Sequence, residues 1–466
     1  MSADRRLLIS WHSQGYGQME PKKWHTWTAA QVSIAESQSV KEPFPWVGYL
    51  HVAKQLGLTR DCGWDLCQLL PGTHMNVRQA AQNYLRGCTL KPSVRQDFET
   101  FRGSYLYEVY VETAAVMPRV DNQALWIIDR HALKHWSGSL PLLHLILKGG
   151  EGVKSLAQVA DLIQVWRKKG QPRHWNILGG GSLCDSAAYA AHLSGCTFTL
   201  LPTTLLAMVD ACVGGKCGVN LPPWGKNIVG AFAYPQGVKA ALGFLSSLST
   251  VEVHSGLCEA LKHTFIAGLR EDAQTICSWF ARPPVWEKPG LHLDLLARNC
   301  KVKAEVIAQD ATEQSGLRHC LNYGHTLGHA LESLAIARQQ PMEHGICVAF
   351  GICFANHLGA ALQITEPDFV TEVETLLFPI LARYSRRLLV STGLGASSAD
   401  AAQLWRQILH DKKKRATGET ITHWIFLRTW GCLQHTSEGY LTAVEASLFA
   451  TQWQSFQQKI VQLTPC

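Results

Sequence analysis

The sequence predicts an α/β fold followed by an all-helical region, because two stretches of the chain differ in their residue pattern. From about 105 to 247, segments such as YLYEVYVET, ALWIID and CTFTLLP have the β-branched and aromatic content of strands. They alternate with segments of helical periodicity such as SLAQVADLIQVWRKKG, an alternation that is typical of parallel βαβ units. After about 248 the apolar residues recur almost entirely with the helical period. The chain therefore indicates a parallel-sheet domain and then a helical domain.

This division separates the chain into three parts. Residues 101–247 form the predicted α/β domain and residues 248–466 form the predicted helical domain. Residues 1–100 form an N-terminal extension of unknown role, in which tryptophans recur but no chemical motif is found. In the predicted helical domain, helices are expected over 256–280, 292–312, 321–337, 344–362, 367–390 and 399–410.

Composition limits the classes of protein to which this chain can belong. Of 466 residues, 47% are hydrophobic and 17% are charged, which is typical of a globular protein. The net charge of +7 is spread along the chain, so it suits small anionic substrates and does not indicate a nucleic-acid partner. The 15 cysteines form no CxxC pair, as expected for reduced thiols in the cytoplasm. The apolar stretch 346–364 is expected to be a buried core helix, not a membrane span.

A triple-glycine turn in NILGGGSLCD joins a predicted strand to a predicted helix. Such a turn lets backbone N–H groups approach a pyrophosphate at the positive end of the helix. The spacing is not GxGxxG, so a simple tight turn explains these glycines equally well. The following segment, 201–232, places polar residues among glycine turns. Lysines held by such turns suit phosphate or carboxylate groups. A charged surface loop is the alternative interpretation. These residues are Thr203, Thr204, Asp210, Lys216, Lys226 and Asn227.

Two histidines four residues apart in LNYGHTLGHALE, His325 and His329, are predicted to lie on one face of a helix. Such a pair can share a metal ion, or one ring can bind the metal while the other transfers protons. Ordinary structural histidines are the alternative. Glu259 and His344 lie on other predicted helices and, with His325, would make a two-histidine, one-carboxylate set. That set suits a catalytic zinc with an open position, although only the fold can bring its members together.

Further charged residues accompany these motifs. Lys262 follows Glu259 by three residues, so it lies on the same helical face. The stretch that precedes the histidine pair adds Lys303, Arg318 and Asn322. The run DKKKR contains Lys412 and Lys413, and a basic run of this kind is usually a solvated surface.

Taken in order, the motifs resemble the 3-dehydroquinate synthase family, which is one branch of the sugar phosphate cyclases. The resemblance extends over roughly 105–435 and includes GEGVKSL, GGGSLCD, GKNIVGAF, GLCEALKH and HGICVAFG. It implies a Rossmann-like parallel-sheet domain that binds NAD, followed by a helical domain that binds zinc, with cobalt as an alternative metal. It also implies a homodimer in the cytoplasm, without a nucleic-acid or membrane partner.

The resemblance also implies roles for individual residues. The metal ligands would be Glu259, His325 and His344. The cofactor residues would be Asp129, Glu151, Lys154, Gly180, Gly181, Asp185, Thr203, Thr204 and Ser247, with Asp210, Lys216 and Lys226 bordering both cofactor and substrate. The substrate would contact Lys216, Asn227, Lys262, Lys303, Arg318, Asn322, His329 and one lysine of the basic run, assigned as Lys412.

The implied reaction converts a small phosphorylated keto-acid sugar, 3-deoxy-D-arabino-heptulosonate 7-phosphate, into 3-dehydroquinate and phosphate, a step of the shikimate pathway. NAD oxidises a ring carbinol, so the new ketone acidifies the neighbouring C–H and phosphate leaves. NADH then reduces the ketone, and ring opening and aldol closure complete this lyase reaction. The cofactor is therefore regenerated within each turnover.

The chain departs from the family pattern at several positions. Ser194 replaces an arginine that usually reaches the substrate phosphate, Ile346 replaces an acidic residue, and His131 replaces an asparagine. Losing a guanidinium at a phosphate removes a bidentate, charge-assisted contact. Two alternatives therefore stay open: a sibling cyclase that acts on an aminated analogue or another heptulose phosphate, and a catalytically weakened homologue that binds a partner through residues 1–100.

Overall fold

The structure is a computed structural model. It describes residues 121–135, 139–221, 225–286, 291–310, 313, 315–395, 398–411, 420–436 and 439–463, together with the strands β1 (Gln96–Asp97), β2 (Ser104–Tyr105) and β3 (Glu108–Glu112). The N-terminal extension, apart from β1, lies outside the described residues, and so do Lys412 and Lys413.

The chain forms two compact units, and it passes between them more than once. Among the described parts, the first unit contains Pro118–Leu201 and Gly215–Gly237. The second contains Asp97–Met117, Pro202–Gly214 and Val238–Cys466. The single boundary between 247 and 248 expected from the sequence stays a prediction about domains.

The first unit contains a parallel sheet with helices. Its elements are β4 (Leu125–Asp129), β5 (His144–Leu147), α1 (Leu156–Lys168), β6 (His174–Gly179), α2 (Gly181–Leu193), β7 (Thr197–Pro202), β8 (Lys216–Leu221) and β9 (Gly225–Phe232). The strand order is β7-β6-β4-β5, and β4 pairs in parallel with both β5 and β6. Every residue of β4 is buried, as expected for a central parallel strand. Strands β8 and β9 form an antiparallel hairpin.

The second unit is mainly helical, so the predicted fold class is confirmed. Its elements after β3 are β10 (Gly237–Ala241), α3 (Thr250–Ala267), α4 (Arg270–Ser278), α5 (Leu291–Gln309), α6 (His325–Ala337), α7 (His344–Ala361), α8 (Pro367–Thr392), α9 (Ser398–Asp411), β11 (Ile421–Trp424), β12 (Leu427–Thr429), β13 (Cys432–Leu433), β14 (Thr442–Glu445) and α10 (Ala446–Gln462). The sequence analysis missed β11 to β14 and α10. These strands are too short to establish a period of two in the sequence.

Helix α7 is the central helix of the second unit. It has the length and composition of a membrane span, with a mean hydropathy of 1.3, but 78% of it is buried inside the fold, where it packs against α3, α6 and α8. A Cβ at Gly345 would lie 1.9 Å from the carbonyl oxygen of Ser255 in α3. A Cβ at Gly351 would lie 1.9 Å from the carbonyl oxygen of Gly324. These glycines therefore let neighbouring backbones approach α7 directly.

Helix α6 begins at His325, four residues later than predicted, because Gly324 interrupts the backbone. Gly324 has φ 78°, and a Cβ there would lie 2.8 Å from the backbone nitrogen of Ile352 in α7. Only glycine combines this left-handed conformation with so close an approach. The preceding residues Leu317–Asn322 form a separate 3-10 turn. The first turn of α6 is thereby held against α7.

Candidate active site

Three helices of the second unit bring the proposed metal ligands together. Glu259 lies on α3, His325 is the first residue of α6, and His344 is the first residue of α7. The Nε2 atoms of His325 and His344 lie 3.5 and 3.3 Å from the same oxygen, Oε1 of Glu259. The set that the resemblance implies is therefore a compact group in the structure, although its members are far apart in the sequence.

His329 borders this group. Its ring centroid lies 5.2 Å from that of His325 and 5.5 Å from that of His344. The three histidines could each offer a nitrogen ligand, since these atoms lie within 4.8 Å of one another. The prediction that His325 and His329 share one helical face is thus realised on α6.

The hydrogen bonds of His325 and His344 indicate which ring nitrogen of each carries the proton. Nδ1 of His325 lies 3.2 Å from the carbonyl oxygen of Tyr323, and Nδ1 of His344 lies 3.3 Å from Oε2 of Glu332. A carbonyl and a carboxylate can only accept, so each Nδ1 carries the proton. In the neutral rings both Nε2 lone pairs then point at a carboxylate oxygen. This arrangement is repulsive unless a proton or a metal cation lies between them, and the set of two imidazoles and one carboxylate fits a divalent metal ion.

A proton competes with such a metal ion. Burial lowers the pKa of His344, but the carboxylates of Glu259 and Glu332 outweigh this effect and raise the pKa to about 10. Burial and the positive charge of Lys262 hold the pKa of His325 well below its usual value. Without a metal ion, His344 is therefore protonated, and its positive charge compensates the neighbouring carboxylates, whereas His325 stays neutral.

A buried ion-pair network includes Glu259 and adjoins the two histidines. Glu259 is 0% exposed, and its Oε2 lies 2.5 Å from Nζ of Lys262, which is itself 1% exposed. Burial raises the pKa of Glu259, but the ammonium of Lys262 and the hydrogen bond with His344 outweigh this effect and hold the pKa well below its usual range. Asp210 lies 3.7 Å from Lys262 and 2.8 Å from Nζ of Lys303. Two carboxylates and two ammonium groups thus compensate one another in a site from which water is largely excluded.

The Asp210 carboxylate has a further neighbour, His263, which the sequence analysis missed. Nδ1 of His263 lies 2.9 Å from Oδ1 of Asn299, and its Nε2 lies 3.5 Å from Asp210. Asp210, Glu259 and His263 have the spacing of a second metal site. The ammonium of Lys262, however, already compensates both carboxylates, so this group does not need a cation.

Arg318 lies at one end of this network and is 3% exposed. Its Nη2 donates to the carbonyl oxygen of Gly214 at 2.8 Å, and its backbone N–H donates to Asp310 at 3.0 Å. Gly214 has φ 128°, and a Cβ there would lie 3.0 Å from Nη2 of Arg318. Asn322 is exposed at the end of the 3-10 turn Leu317–Asn322, which also contains Arg318.

In the first unit, the proposed cofactor residues gather where strands end and α2 begins. Gly180 is the N-cap of α2 and Gly181 is its first residue, so backbone N–H groups are available to an anion there. Asp129 ends β4, and a Cβ at Gly149 would lie 2.0 Å from its carboxylate. The buried Lys154 pairs with Asp185 of α2 at 2.6 Å.

Glu151 connects several residues of this region. It accepts hydrogen bonds from Ser182 at 2.8 Å and from the side-chain amide of Asn220 at 2.7 Å, and Lys226 lies 3.9 Å away. The amide oxygen of Asn220 in turn accepts from the backbone N–H of Asn227 at 3.0 Å. The sequence analysis missed Asn220, although the residue lies within the segment 201–232.

The remaining predicted residues lie elsewhere in the two units. Lys216 is exposed on β8, with Nζ 5.9 Å from the ring centroid of Phe232. Thr203 and Thr204 follow β7 in the second unit, where the hydroxyl of Thr204 accepts from the backbone of Ala207 at 3.2 Å. Ser247 also lies in the second unit and donates to the carbonyl of Phe244 at 2.8 Å. The proposed cofactor residues are therefore divided between the units.

The three departures from the family pattern each have a local structural role. Ser194 is the C-cap of α2, and its hydroxyl donates to Ala190 at 2.8 Å. Ile346 is fully buried in α7, where a carboxylate would be costly. His131 lies with Nδ1 3.1 Å from Asp129.

The fold of the chain is shared with solved structures of two synthases, whose low sequence identities make this a likeness of fold alone. One is 2-epi-5-epi-valiolone synthase from Streptomyces hygroscopicus subsp. jinggangensis 5008 with NAD+ and Zn2+ bound, at a TM-score of 0.62 and 19% identity over 78% of this chain and 100% of that one. The other is 2-deoxy-scyllo-inosose synthase complexed with carbaglucose-6-phosphate, NAD+ and Co2+, at a TM-score of 0.59 and 24% identity over 76% of this chain and 96% of that one.

Sequence comparisons then identify the family. The family models "3-dehydroquinate synthase N-terminal" and "3-dehydroquinate synthase C-terminal" match residues 144–255 and 256–414. A 3-dehydroquinate synthase of Rhodopirellula baltica is 31% identical over 330 residues, which are 69% of this chain and 81% of the relative. One of Mycolicibacterium gilvum is 40% identical over 274 residues, 57% of this chain and 70% of the relative. The chain belongs to the 3-dehydroquinate synthase family.

Proposed function

We propose that the protein is a 3-dehydroquinate synthase, a NAD- and zinc-dependent lyase that converts 3-deoxy-D-arabino-heptulosonate 7-phosphate into 3-dehydroquinate and phosphate. One observation carries the proposal. In a member of this family, two Nε2 lone pairs and Oε1 of Glu259 converge within 3.5 Å, next to the buried Lys262–Asp210–Lys303 network. The protein would act in the cytoplasm as a homodimer.

Glu259, His325 and His344 would hold the zinc ion, and their donor set fits zinc or cobalt. The fold relatives with bound Zn2+ or Co2+ support this assignment. When bound, the metal would supply a Lewis acid for a substrate oxygen, and NAD would supply a hydride acceptor that is regenerated from NADH within the turnover. Lys262 keeps Glu259 ionised as a ligand, since its ammonium lies 2.5 Å from Oε2.

Lys303, Arg318 and Asn322 would bind the substrate carboxylate, because these groups would otherwise face a neutral sugar. The ammonium of Lys303 is held by Asp210, so it cannot turn away from the site. The guanidinium of Arg318 is held by Gly214 and offers planar donors that match a carboxylate. Fixed charges of this kind orient a substrate without reorganising during the reaction.

Lys216, Asn227, His329 and Lys412 would complete the substrate site near its phosphate. In the first unit, the N-terminus of α2 at Gly180 and Gly181 would receive the NAD pyrophosphate, and Asp129 would bind the adenine ribose. Further NAD contacts are proposed for Glu151, Lys154, Asp185, Thr203, Thr204, Asp210, Lys226 and Ser247.

The test is a turnover assay of the full-length protein with NAD, zinc and 3-deoxy-D-arabino-heptulosonate 7-phosphate. We expect phosphate and 3-dehydroquinate in equal amounts, and no product from the variant Lys262→Met. Phosphate release only with another heptulose phosphate would instead indicate a sibling cyclase. An inactive protein that still binds NAD and zinc would indicate a binding protein.

A further inference from the structure

Glu332 is a carboxylate next to the metal cluster to which the proposed function assigns no role. It lies on α6 and its side chain is 14% exposed. Its Oε2 lies 3.3 Å from Nδ1 of His344, on the opposite side of the ring from the contact between Nε2 and Glu259.

The two ligand histidines differ in what holds them. Nδ1 of His325 faces a neutral backbone carbonyl, that of Tyr323, whereas Nδ1 of His344 faces a charged carboxylate. A carboxylate accepts the Nδ1 proton more strongly than a carbonyl does. It therefore increases the electron density at Nε2, the atom that points at the metal position.

We propose that Glu332 is a positioning residue for the metal centre: it holds His344 in the Nδ1–H tautomer and strengthens Nε2 as a ligand. The inference rests on the proposed function, because it assumes that His344 binds a divalent cation. A hydrogen-bond partner of a ligand histidine typically changes metal affinity by about 10- to 100-fold. The backbone partner of His325 cannot be removed by substitution, so Glu332 is the side chain through which this effect can be tested.

The experiment compares Co2+ binding to the full-length protein and three variants. Glu332→Leu removes the acceptor, and Glu332→Gln keeps an acceptor oxygen but removes the charge. Glu374→Gln is the matched control, since this glutamate pairs with the exposed Lys459 at 3.1 Å. Affinity is measured by competition with a chromophoric chelator, and the geometry around Co2+ is followed by its visible absorption bands.

We expect the dissociation constant for Co2+ to rise about 10- to 100-fold in Glu332→Leu and less in Glu332→Gln. The absorption bands should shift in Glu332→Leu, while Glu374→Gln should match the wild type. A purely structural role for Glu332 would lower thermal stability without moving these bands in the folded protein. If Glu332→Leu does not fold, the Co2+ affinity and absorption bands of Glu332→Gln are compared with those of the wild type to test the proposal.

Two results would overturn the inference in different ways. Wild-type protein that binds no Co2+ or Zn2+ would remove the metal centre of the proposed function, and the role of Glu332 with it. Wild-type protein that binds Co2+, together with a folded Glu332→Leu variant of equal affinity and spectrum, would refute the role of Glu332 alone. In the second case the proposed function would be unaffected.

Discussion

Two ion pairs, one in each unit, differ in their burial. In the helical unit, Glu259 and Lys262 are 0% and 1% exposed, and each is compensated by a close partner. In the sheet unit, Glu151 and Lys226 are 48% and 32% exposed and 3.9 Å apart. A buried charge that loses its partner destabilises the fold, whereas a surface pair contributes little. Substitution of Glu259 should therefore affect stability and chemistry together, and substitution of Glu151 should leave stability almost unchanged.

The largest expected effect is that of Glu259→Gln. The variant should lose bound metal and at least about a thousandfold in turnover, since a metal ion supplies several kcal/mol to the transition state. It should also lose about 3–5 kcal/mol of stability, because Lys262 is left buried without its closest partner. Metal analysis, steady-state kinetics and urea unfolding measure these effects.

Glu151→Gln is the control in the other unit and should change the free energy of unfolding by less than about 0.5 kcal/mol. Equal losses of stability in both variants would contradict the comparison.

The next effect concerns packing around α7. Gly345→Ala should destabilise the protein by about 1–3 kcal/mol or more, because the new methyl group meets a backbone carbonyl that cannot turn away. Gly395→Ala is the control, as no atom lies within 4 Å of the added Cβ. Urea unfolding of both variants provides the test. A Gly345→Ala variant as stable as Gly395→Ala would mean that α3 and α7 are not in direct backbone contact.

The same substitution should behave differently in the sheet unit. Gly149→Ala introduces a methyl group against the carboxylate of Asp129, a side chain that can rotate away. Stability should change little, but the dissociation constant for NAD should rise about tenfold, equivalent to about 1.4 kcal/mol. Gly152→Ala, with no atom within 4 Å of its added Cβ, is the control. Isothermal titration with NAD measures the effect on binding, and thermal unfolding of the same variants measures the effect on stability. Unchanged NAD affinity in Gly149→Ala would argue against a cofactor role for Asp129.

The smallest effect is a dependence of stability on pH. His254 lies in the helical unit between the hydroxyl of Tyr384 and the carbonyl of Phe280, each at 3.0 Å. Burial lowers its pKa from 6.5. Its contribution to stability is therefore present above pH 6.5 and is lost as the pH falls toward the lowered value, by at most about 1.4 kcal/mol per pH unit. Unfolding free energies of wild type and His254→Gln between pH 7.5 and 5.5 measure this, since the other histidines cancel in the difference. A constant difference over this range would contradict the assignment.

Much of the site could be predicted because its motifs are local. The pair His325 and His329 needs only the helical period to share a face, and GGGSLCD needs only a strand-to-helix turn. Glu332 and His263 were missed although both lie inside quoted motifs. Their roles depend on side-chain partners, Nδ1 of His344 and Asp210, that belong to other helices. A spacing rule along one helix cannot reveal such partners.

The alternation of strands and helices, the long helices after 248 and the set of charged groups could be read from the chain alone, because hydrophobic period and residue type are local properties. Which of these groups meet depends on how the helices pack. Glycines without side chains let α3 and α6 close on α7, and this contact brings a carboxylate and two imidazoles to one point. The tertiary structure also decides which ring nitrogens carry protons, because that depends on acceptors supplied by neighbouring backbone and side chains.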